Sequence, residues 1–513
     1  MLAALTQYRQ SRGKHEYQLA SQIQSIIINQ FVSTRADEHV ALEVDGLTPV
    51  PPFSCKFCPA RNSSHVLAIA DEGGSVQLVN YNRSAVVKEW NAHANAIFDI
   101  AWRSDGDKLL TGSGDGTVIE WDTCKNINLA AYAGHKGSVK CIDIQPDDTG
   151  VFATGSRDGS IMIWDPRCNK AGGLYKPVNM IQNAHGINPH KKIFRKDAST
   201  FTANSVTCIV YHGSHTILSA GATDGKLKEW DIRRCYSSPK SISKPLSEIF
   251  YSGNSPRARG FTSLVIDSTR SNLFASCTDN RIYKYNLHST TIKPSAVYSG
   301  HSNASFFVKA ALSPDDRYLI SGSSCTNSYI WKVSNPTQAP LTLIGHSSEV
   351  TCVDWCPHDF GFIATCSDDN YRIWRLRNDY DVIEPRNLIG VCQTAAETTT
   401  SEKSSVQNND RINILDPIEN RNSSPTISEK KVVQQQLNLS PVCITHQGNK
   451  RPSGVLTKGI GNCLNSKDTN LNTTPRKKLK YEMKKHHKAK NIASQTHLDN
   501  STSKQMSIES YFK

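Results

Sequence analysis

The sequence lacks any apolar run long enough to cross a bilayer, so no membrane span is expected. Its first residues, Met1 to Lys14, carry no basic stretch followed by an apolar core, the pattern of a secretory signal. The 15 cysteines are scattered through 513 residues, which with no such signal argues against a disulfide framework. Only Cys55 and Cys58 stand at metal-ligand spacing, and no second pair lies at a suitable distance, whereas a zinc site needs four ligands. Two half-buried thiols near a strand are therefore expected, with no metal and no cofactor. Hydrophobic residues amount to 38% and aromatics to 8%, too few for the whole chain to pack around a core, so part of it is expected to stay unfolded. These features point to the cytosol or nucleus, and the net charge of +13 to acidic partners or a nuclear setting.

What the sequence does contain is an internal repeat. His93-Ala94 is followed by Thr111-Gly112-Ser113-Gly114-Asp115-Gly116 and Trp121-Asp122. Gly134-His135 is followed by Thr154-Gly155-Ser156-Arg157-Asp158-Gly159 and Trp164-Asp165, and Gly345-His346 by Thr365-Cys366-Ser367-Asp368-Asp369-Asn370 and Trp374-Arg375. Trp121 to Trp164, and Trp331 to Trp374, are each 43 residues apart. Within the repeat, Val139 and Cys141 flank Lys140, and Ile142 and Ile144 flank Asp143, an alternation with one break of phase. Ile161-Met162-Ile163-Trp164 reads as a strand buried on both faces, and Pro146-Asp147-Asp148 and Arg157-Asp158-Gly159 as turns. Each unit is thus a blade of short antiparallel strands.

These residues resemble the WD-repeat family, in which a His, a Ser or Thr, a turn Asp and a Trp form a hydrogen-bonded tetrad. The resemblance implies tetrads at His135, Ser156, Asp158 and Trp164, and at His93, Ser113, Asp115 and Trp121. A His–Ser–Asp set invites a hydrolase reading, but an enzyme needs one active site and not one per blade, so no catalysis is expected. Four weaker repeats, at Val66 to Asn80, Val206 to Asp231, Phe261 to Asn286 and Gly300 to Lys332, bring the count to seven. In these, Tyr285 replaces one Trp, and Cys325 occupies a turn-Asp place, so that blade should lack a full tetrad. The last turn, Asp369-Asn370-Tyr371, is a residue short. The fold class is all-β: a seven-bladed WD-repeat β-propeller over residues 49–377, closed by an N-terminal strand from a partly ordered segment at 1–48, and followed by a long disordered C-terminal tail over 378–513. Loop insertions are expected at 171–204, with the basic His190-Lys191-Lys192 and Arg195-Lys196, and at 234–260, with Arg257 and Arg259. The first suits an acidic partner or plain solvation equally.

Two consecutive blades end alike, in Trp164-Asp165-Pro166-Arg167 and Trp230-Asp231-Ile232-Arg233. This WDxR form resembles the motif by which WD-repeat substrate receptors dock on the large adaptor of cullin-4 ubiquitin ligases. With Trp and Asp held in the blade, the Arg emerges at one rim, where its planar fork can engage carboxylates or carbonyls. Ile23, Ile26, Ile27 and Phe31 have helical spacing and would pack on the adaptor or on the propeller itself.

The tail is rich in Ser, Thr, Asn and Lys. Arg476, Lys477, Lys478 and Lys480 form a basic cluster that reads as a nuclear-localisation signal or a weak nucleic-acid contact, import being preferred because few aromatics are interleaved. Thr474-Pro475 makes Thr474 a candidate phosphosite. Gln505, Ile508, Tyr511 and Phe512 resemble a PIP box, the peptide that binds the sliding clamp PCNA; one helical turn puts the three apolar side chains on one side.

Together these features resemble the denticleless protein family. Stretches beyond the generic repeat carry this resemblance: Pro49-Val50-Pro51-Pro52-Phe53, Ala92-His93-Ala94-Asn95-Ala96-Ile97-Phe98-Asp99, Arg157-Asp158-Gly159-Ser160-Ile161-Met162, Leu312-Ser313-Pro314-Asp315-Asp316 and Ala364-Thr365-Cys366-Ser367-Asp368-Asp369-Asn370. The resemblance implies a non-catalytic substrate receptor of a cullin-4 RING ubiquitin ligase, nuclear and chromatin-associated in S phase. Its partners would be the ligase adaptor (the damaged-DNA-binding protein large subunit), PCNA, and clamp-bound substrates whose degron is read by the opposite face. Those substrates would be destroyed in S phase or after DNA damage, which ties the chain to DNA replication and the cell cycle. The alternative is a clamp-associated WD-repeat scaffold of chromatin assembly or repair with no ligase role.

Overall fold

A computed structural model describes residues 24, 27–41, 49–63, 65–168, 170–186, 204–234, 236, 243–257, 259–289, 293–377 and 384–394. The basic cluster, Thr474 and all four PIP-box residues lie outside the described residues, as do Ile23, Ile26 and the basic residues of 190–196.

Seven antiparallel blades follow one another in chain order. Blade 1 has strands Pro52–Phe57, Val66–Asp71, Ser75–Asn80 and Ala85–Asn91, and blade 2 has Ile97–Trp102, Lys108–Ser113, Thr117–Asp122 and Ile127–Ala133. Blade 3 comprises Val139–Ile144, Phe152–Ser156, Ile161–Trp164 and Asn179–Ile181, and blade 4 comprises Val206–Tyr211, Thr216–Gly221, Lys226–Asp231 and Ser247–Phe250. Blades 5 and 6 begin with Phe261–Ile266 and Ala310–Leu312, and blade 7 with Val350–Trp355. Middle strands such as Ile161–Trp164 are buried at every position, because neighbouring blades cover both of their faces. The cores are correspondingly interblade: Val206, Ile209 and Trp230 of blade 4 pack with Ile161 and Ile163 of blade 3.

Six of the seven inner strands begin with a register shift. The residue left without a partner is Phe53, Phe98, Lys140, Thr207, Thr262 or Thr351. A bulge re-aims its extra side chain, and repetition sets these six residues in a ring at one end of the central channel. The broken alternation around Lys140 in the sequence is the trace of this bulge.

The ring is closed by Phe31–Thr34, which pairs with the blade 7 strand Tyr371–Leu376 through Phe31↔Leu376 and Val32↔Arg375. The N-terminal segment therefore supplies the missing strand. Ile27 is buried, and Phe31 packs against the propeller itself, its ring lying 5.8 Å edge-on from Trp355. Asp37, also buried, takes hydrogen bonds from Thr34 Oγ1 and Ser84 Oγ, each at 2.7 Å, and pairs with Arg375.

Three expected boundaries move. The tail was placed from residue 378, yet Leu388–Gln393 forms a strand between the closing strand and blade 6, pairing Val32↔Val391 and Leu343↔Cys392. The stretch 171–204 is not a plain insertion, since Asn179–Ile181 is blade 3's outer strand. Likewise 234–260 contains Ser247–Phe250, the outer strand of blade 4. Short strands flanked by long polar segments gave periodicity too little length to register.

Candidate protein-docking surfaces

In an antiparallel blade, the turns after the first and third strands lie at one end. The turn after the second strand and the connection to the next blade lie at the other. Arg167 and Arg233 follow third strands and therefore share an end. Trp164 and Trp230 are almost wholly buried, at 1% and 0% exposure, whereas the arginine side chains are 61% and 65% exposed.

Both arginines are held by the same fork. Arg167 Nε donates to Asp165 Oδ1 and Nη2 to Oδ2, each at 2.8 Å, while the backbone N–H of Arg167 reaches Oδ1 at 2.9 Å. Arg233 repeats this on Asp231 at 2.9, 3.0 and 3.0 Å. The Arg233 guanidinium, the main cause, holds the Asp231 carboxyl down to about 2, and the Arg167 fork likewise lowers Asp165. Since Nε and Nη2 face the protein's own carboxylate, each arginine is fixed with its Nη1 edge outward, a pre-oriented planar donor. Arg167 has a second anchor, Asp148 Oδ2 at 2.7 Å from Nη2. Between the two, Asn179 Nδ2 donates to the carbonyls of Ile232 and Arg234 at 2.8 and 2.7 Å, tying the blade 3 and blade 4 corners together.

The opposite end carries the tetrads. In blade 3 the Trp164 indole N–H donates to Thr154 Oγ1 at 2.8 Å, Thr154 meets His135 Nε2 at 2.7 Å, and His135 Nδ1 faces Asp158 Oδ2 at 3.3 Å. Blade 2 builds the same chain from Trp121, Thr111, His93 and Asp115. The hydroxyls are thus Thr111 and Thr154. Ser113 and Ser156, expected in that place, instead donate to the carbonyls of Asn95 and Gly137. Alternation explains the correction: two residues along a strand share a face, and only the earlier one lies level with the buried Trp. Blade 7 completes a tetrad with Asn370 Oδ1 at 2.9 Å from His346 Nδ1, which accounts for its shortened turn. Blade 4 has one from His185, Ser219, Asp224 and Trp230, with all three contacts at 2.8 Å. His185 lies before the long segment and was missed. The signal was Asn183-Ala184-His185, which repeats Asn91-Ala92-His93. Blade 6 lacks the tetrad, as Cys325 implied: both ring nitrogens of His301 are buried without a partner.

Beside blade 6 the same end opens into a cavity of about 750 Å3, lined among others by Tyr251, Arg259, Asp279, Arg281, Asn303 and Phe306. Next to it is the channel mouth with its bulge residues. The rings of Phe53 and Phe98 lie 5.6 Å apart, those of Phe53 and Phe307 5.5 Å, and all are within 17° of parallel. Cys55 and Cys58 carry no site: Cys55 contacts Cys352 Sγ at 3.7 Å while Cys58 reaches Gly106 O at 3.8 Å. Both are fully buried, not half-buried. Among the described residues no three His, Cys, Asp or Glu side chains form a metal-binding group, and no helix is long and apolar enough to cross a membrane.

The WD domain, G-beta repeat family matches residues 84–122, 127–165, 195–231, 292–332 and 338–375. The chain is 46% identical over 354 residues to the Denticleless protein homolog of Homo sapiens, covering 66% of this chain and 48% of that protein. It is 44% identical over 369 residues to the homolog of Gallus gallus, covering 69% and 51%. Protein lethal(2)denticleless of Drosophila melanogaster is 38% identical over 353 residues, covering 65% and 46%. The chain belongs to the Denticleless family of WD-repeat proteins. It spans about half the length of the Denticleless relatives it matches. The aligned lengths exceed the repeats alone, in keeping with the match having reached beyond the generic WD pattern.

Proposed function

We propose that this chain is the substrate-recognition subunit of a cullin-4 RING ubiquitin ligase. It would bring PCNA-bound, chromatin-associated proteins to ubiquitination in S phase and after DNA damage. The observation that carries the reading is the pair of identical arginine forks. Two adjacent blades each spend a carboxylate on orienting an exposed guanidinium, an arrangement the propeller's own packing does not require. Arg167 and Arg233 then form the contact to the ligase adaptor, the damaged-DNA-binding protein large subunit, aimed by Asp165 and Asp231, while the buried Trp164 and Trp230 anchor the two corners in their blades. The other end of the ring reads the degron. Gln505, Ile508, Tyr511 and Phe512 hold PCNA, Arg476, Lys477, Lys478 and Lys480 direct nuclear import, and ubiquitin transfer belongs to other subunits.

The deciding experiment is co-purification of adaptor and PCNA with the intact chain, with Arg167→Glu/Arg233→Glu, and with Tyr511→Ala/Phe512→Ala. The arginine variant should lose the adaptor and keep PCNA; the aromatic variant should do the reverse. An adaptor recovered equally with the charge-reversed chain would sink the docking claim. An adaptor never recovered would leave the clamp-associated scaffold as the better reading.

A further inference from the structure

The channel mouth at the end away from the arginines contains a cation that no carboxylate among the described residues pairs with. Lys140, raised out of register by its bulge, places Nζ 3.1 Å from the centroid of the Phe98 ring and 5.4 Å from that of Phe307. Among the described residues no salt bridge neutralises it. The nearby Asp99 is already engaged by Lys309 Nζ at 2.6 Å, by Ser54 Oγ at 3.3 Å and by the Ile142 N–H at 2.9 Å. Arg157, in the turn above Lys140, makes no side-chain ion pair among the described residues and adds positive charge. Burial first, then Arg157 and Lys309, brings the Lys140 ammonium down to about 7. Ring faces compensate a desolvated cation only in part, so the site favours whatever supplies a carboxylate. Phe307, stacked on Phe53 on one side, is still 41% exposed and adds an apolar surface left open among the described residues.

We propose that Lys140 and Arg157, with Phe53, Phe98 and Phe307, form a peptide-binding site for a carboxylate side chain next to a large apolar one. The carboxylate would lie against the Lys140 ammonium and the apolar group on the exposed phenyl of Phe307. The occupant is a segment of a partner protein with that pair of side chains. The assignment deepens the reading of this end as the substrate face and rests on it. The pairing discriminates by charge: an amide in place of the carboxylate leaves Lys140 uncompensated, and a second cation is repelled by Lys140 and Arg157.

The test uses fluorescein-labelled peptides Gly-Ser-Gly-X-Phe-Gly-Ser-Gly, with X being Asp, Asn or Lys, titrated against the full chain. The Asp peptide should bind about tenfold more tightly than the Asn peptide at low salt, the gap narrowing as salt rises. Lys140→Gln should remove that preference with adaptor recovery intact, and Phe307→Ala should weaken all three peptides. Equal affinities across the series, or an Asp preference that survives Lys140→Gln, overturn the proposal. So does an Asp preference that appears only in Tyr511→Ala/Phe512→Ala, because the chain's own Glu509–Phe512 would then be the occupant. Adaptor recovery reports on the other end, so its loss with the Asp preference intact would defeat the ligase reading and leave this site standing.

Discussion

Blades 3 and 4 and blades 5 and 6 are built to one plan and finished differently. In the first pair a histidine from the preceding connection bridges a buried hydroxyl and a turn aspartate, at 2.7 to 3.3 Å, and fills the end of the blade. In the second pair the bridge fails. Tyr251 replaces a histidine and donates to Asp279 at 2.8 Å, while His301 meets Trp331 edge-on at 5.2 Å with neither nitrogen paired. The 750 Å3 cavity lies where the bridges are missing, and the arginine forks hang from the blades where they are complete. The tetrad fills the near end of a blade and its absence leaves space there, whereas the forks are a separate feature of blades 3 and 4, since blades 2 and 7 have tetrads and no such fork among the described residues.

The sharpest way to break the comparison is to unplug a complete blade. His185→Ala would take one hydrogen bond each from Ser219 and Asp224 and open a void, and should cost roughly 3–5 kcal/mol in denaturant unfolding. His301→Leu, which removes no hydrogen bond, should change stability at pH 8 by less than about 1 kcal/mol. Equal losses from the two would mean that neither the tetrad hydrogen bonds nor the volume His185 fills contributes much to stability.

Acid separates them further. Burial lowers the His301 imidazole to about 4, against 6.5 in an unfolded chain. Between those values the unfolded chain takes up a proton that the folded chain refuses, so stability present above pH 6.5 is lost as the pH falls toward 4. Removing His301 should therefore leave the variant about 2 kcal/mol better off relative to the parent at pH 5 than at pH 8. His346, lowered by burial to about 3, stays in both proteins and cancels. Identical pH profiles for parent and His301→Leu would show that His301 is solvated after all.

The sequence made the blades legible and blurred their edges. Trp, turn Asp and Gly recur because each has a local job; Gly159, at φ +82°, lets the tight turn after Asp158 close where a Cβ would be strained. The outer strands Asn179–Ile181 and Ser247–Phe250 were invisible, being short and paired on one side only. Leu388–Gln393 was read as tail because its partners come from Phe31–Thr34 and Leu341–Ile344, far away in the chain. The arginines at 167 and 233 could be named from the resemblance of the two WDxR forms to an adaptor-docking motif. Their forks could not, since a carboxylate two residues back can point anywhere until the turn fixes it. The mouth was missed altogether, because six bulge residues from six blades share no motif.

Rebuilding the bridge is the gentler test. Cys325→Asp would put a carboxylate at the turn place facing His301, as Asp115 faces His93 at 3.1 Å. It should add about 1 kcal/mol and raise the His301 pKa, so the excess acid loss described above should shrink. Calorimetry at pH 5 and pH 8 reads both effects. A gain at neither pH would show that Cys325 is displaced from the turn position and that blade 6 departs from the plan by backbone as well as by side chain.

The smallest effect concerns the one respect in which the two arginines differ. Arg167 has Asp148 as well as Asp165, and Arg233 has Asp231 alone. The Arg167–Asp148 contact is exposed on both sides, so water and salt screen it. If orientation comes from the carboxylate two residues back, Asp148→Ala merely makes Arg167 resemble Arg233, and adaptor affinity should stay within about threefold of the parent. Asp165→Ala removes both donor contacts that fix the guanidinium plane and should weaken binding more than Asp148→Ala does. A reversal of that order in adaptor titrations would mean that Asp148 sets the direction of Arg167, and that two forks alike in distance work in different ways.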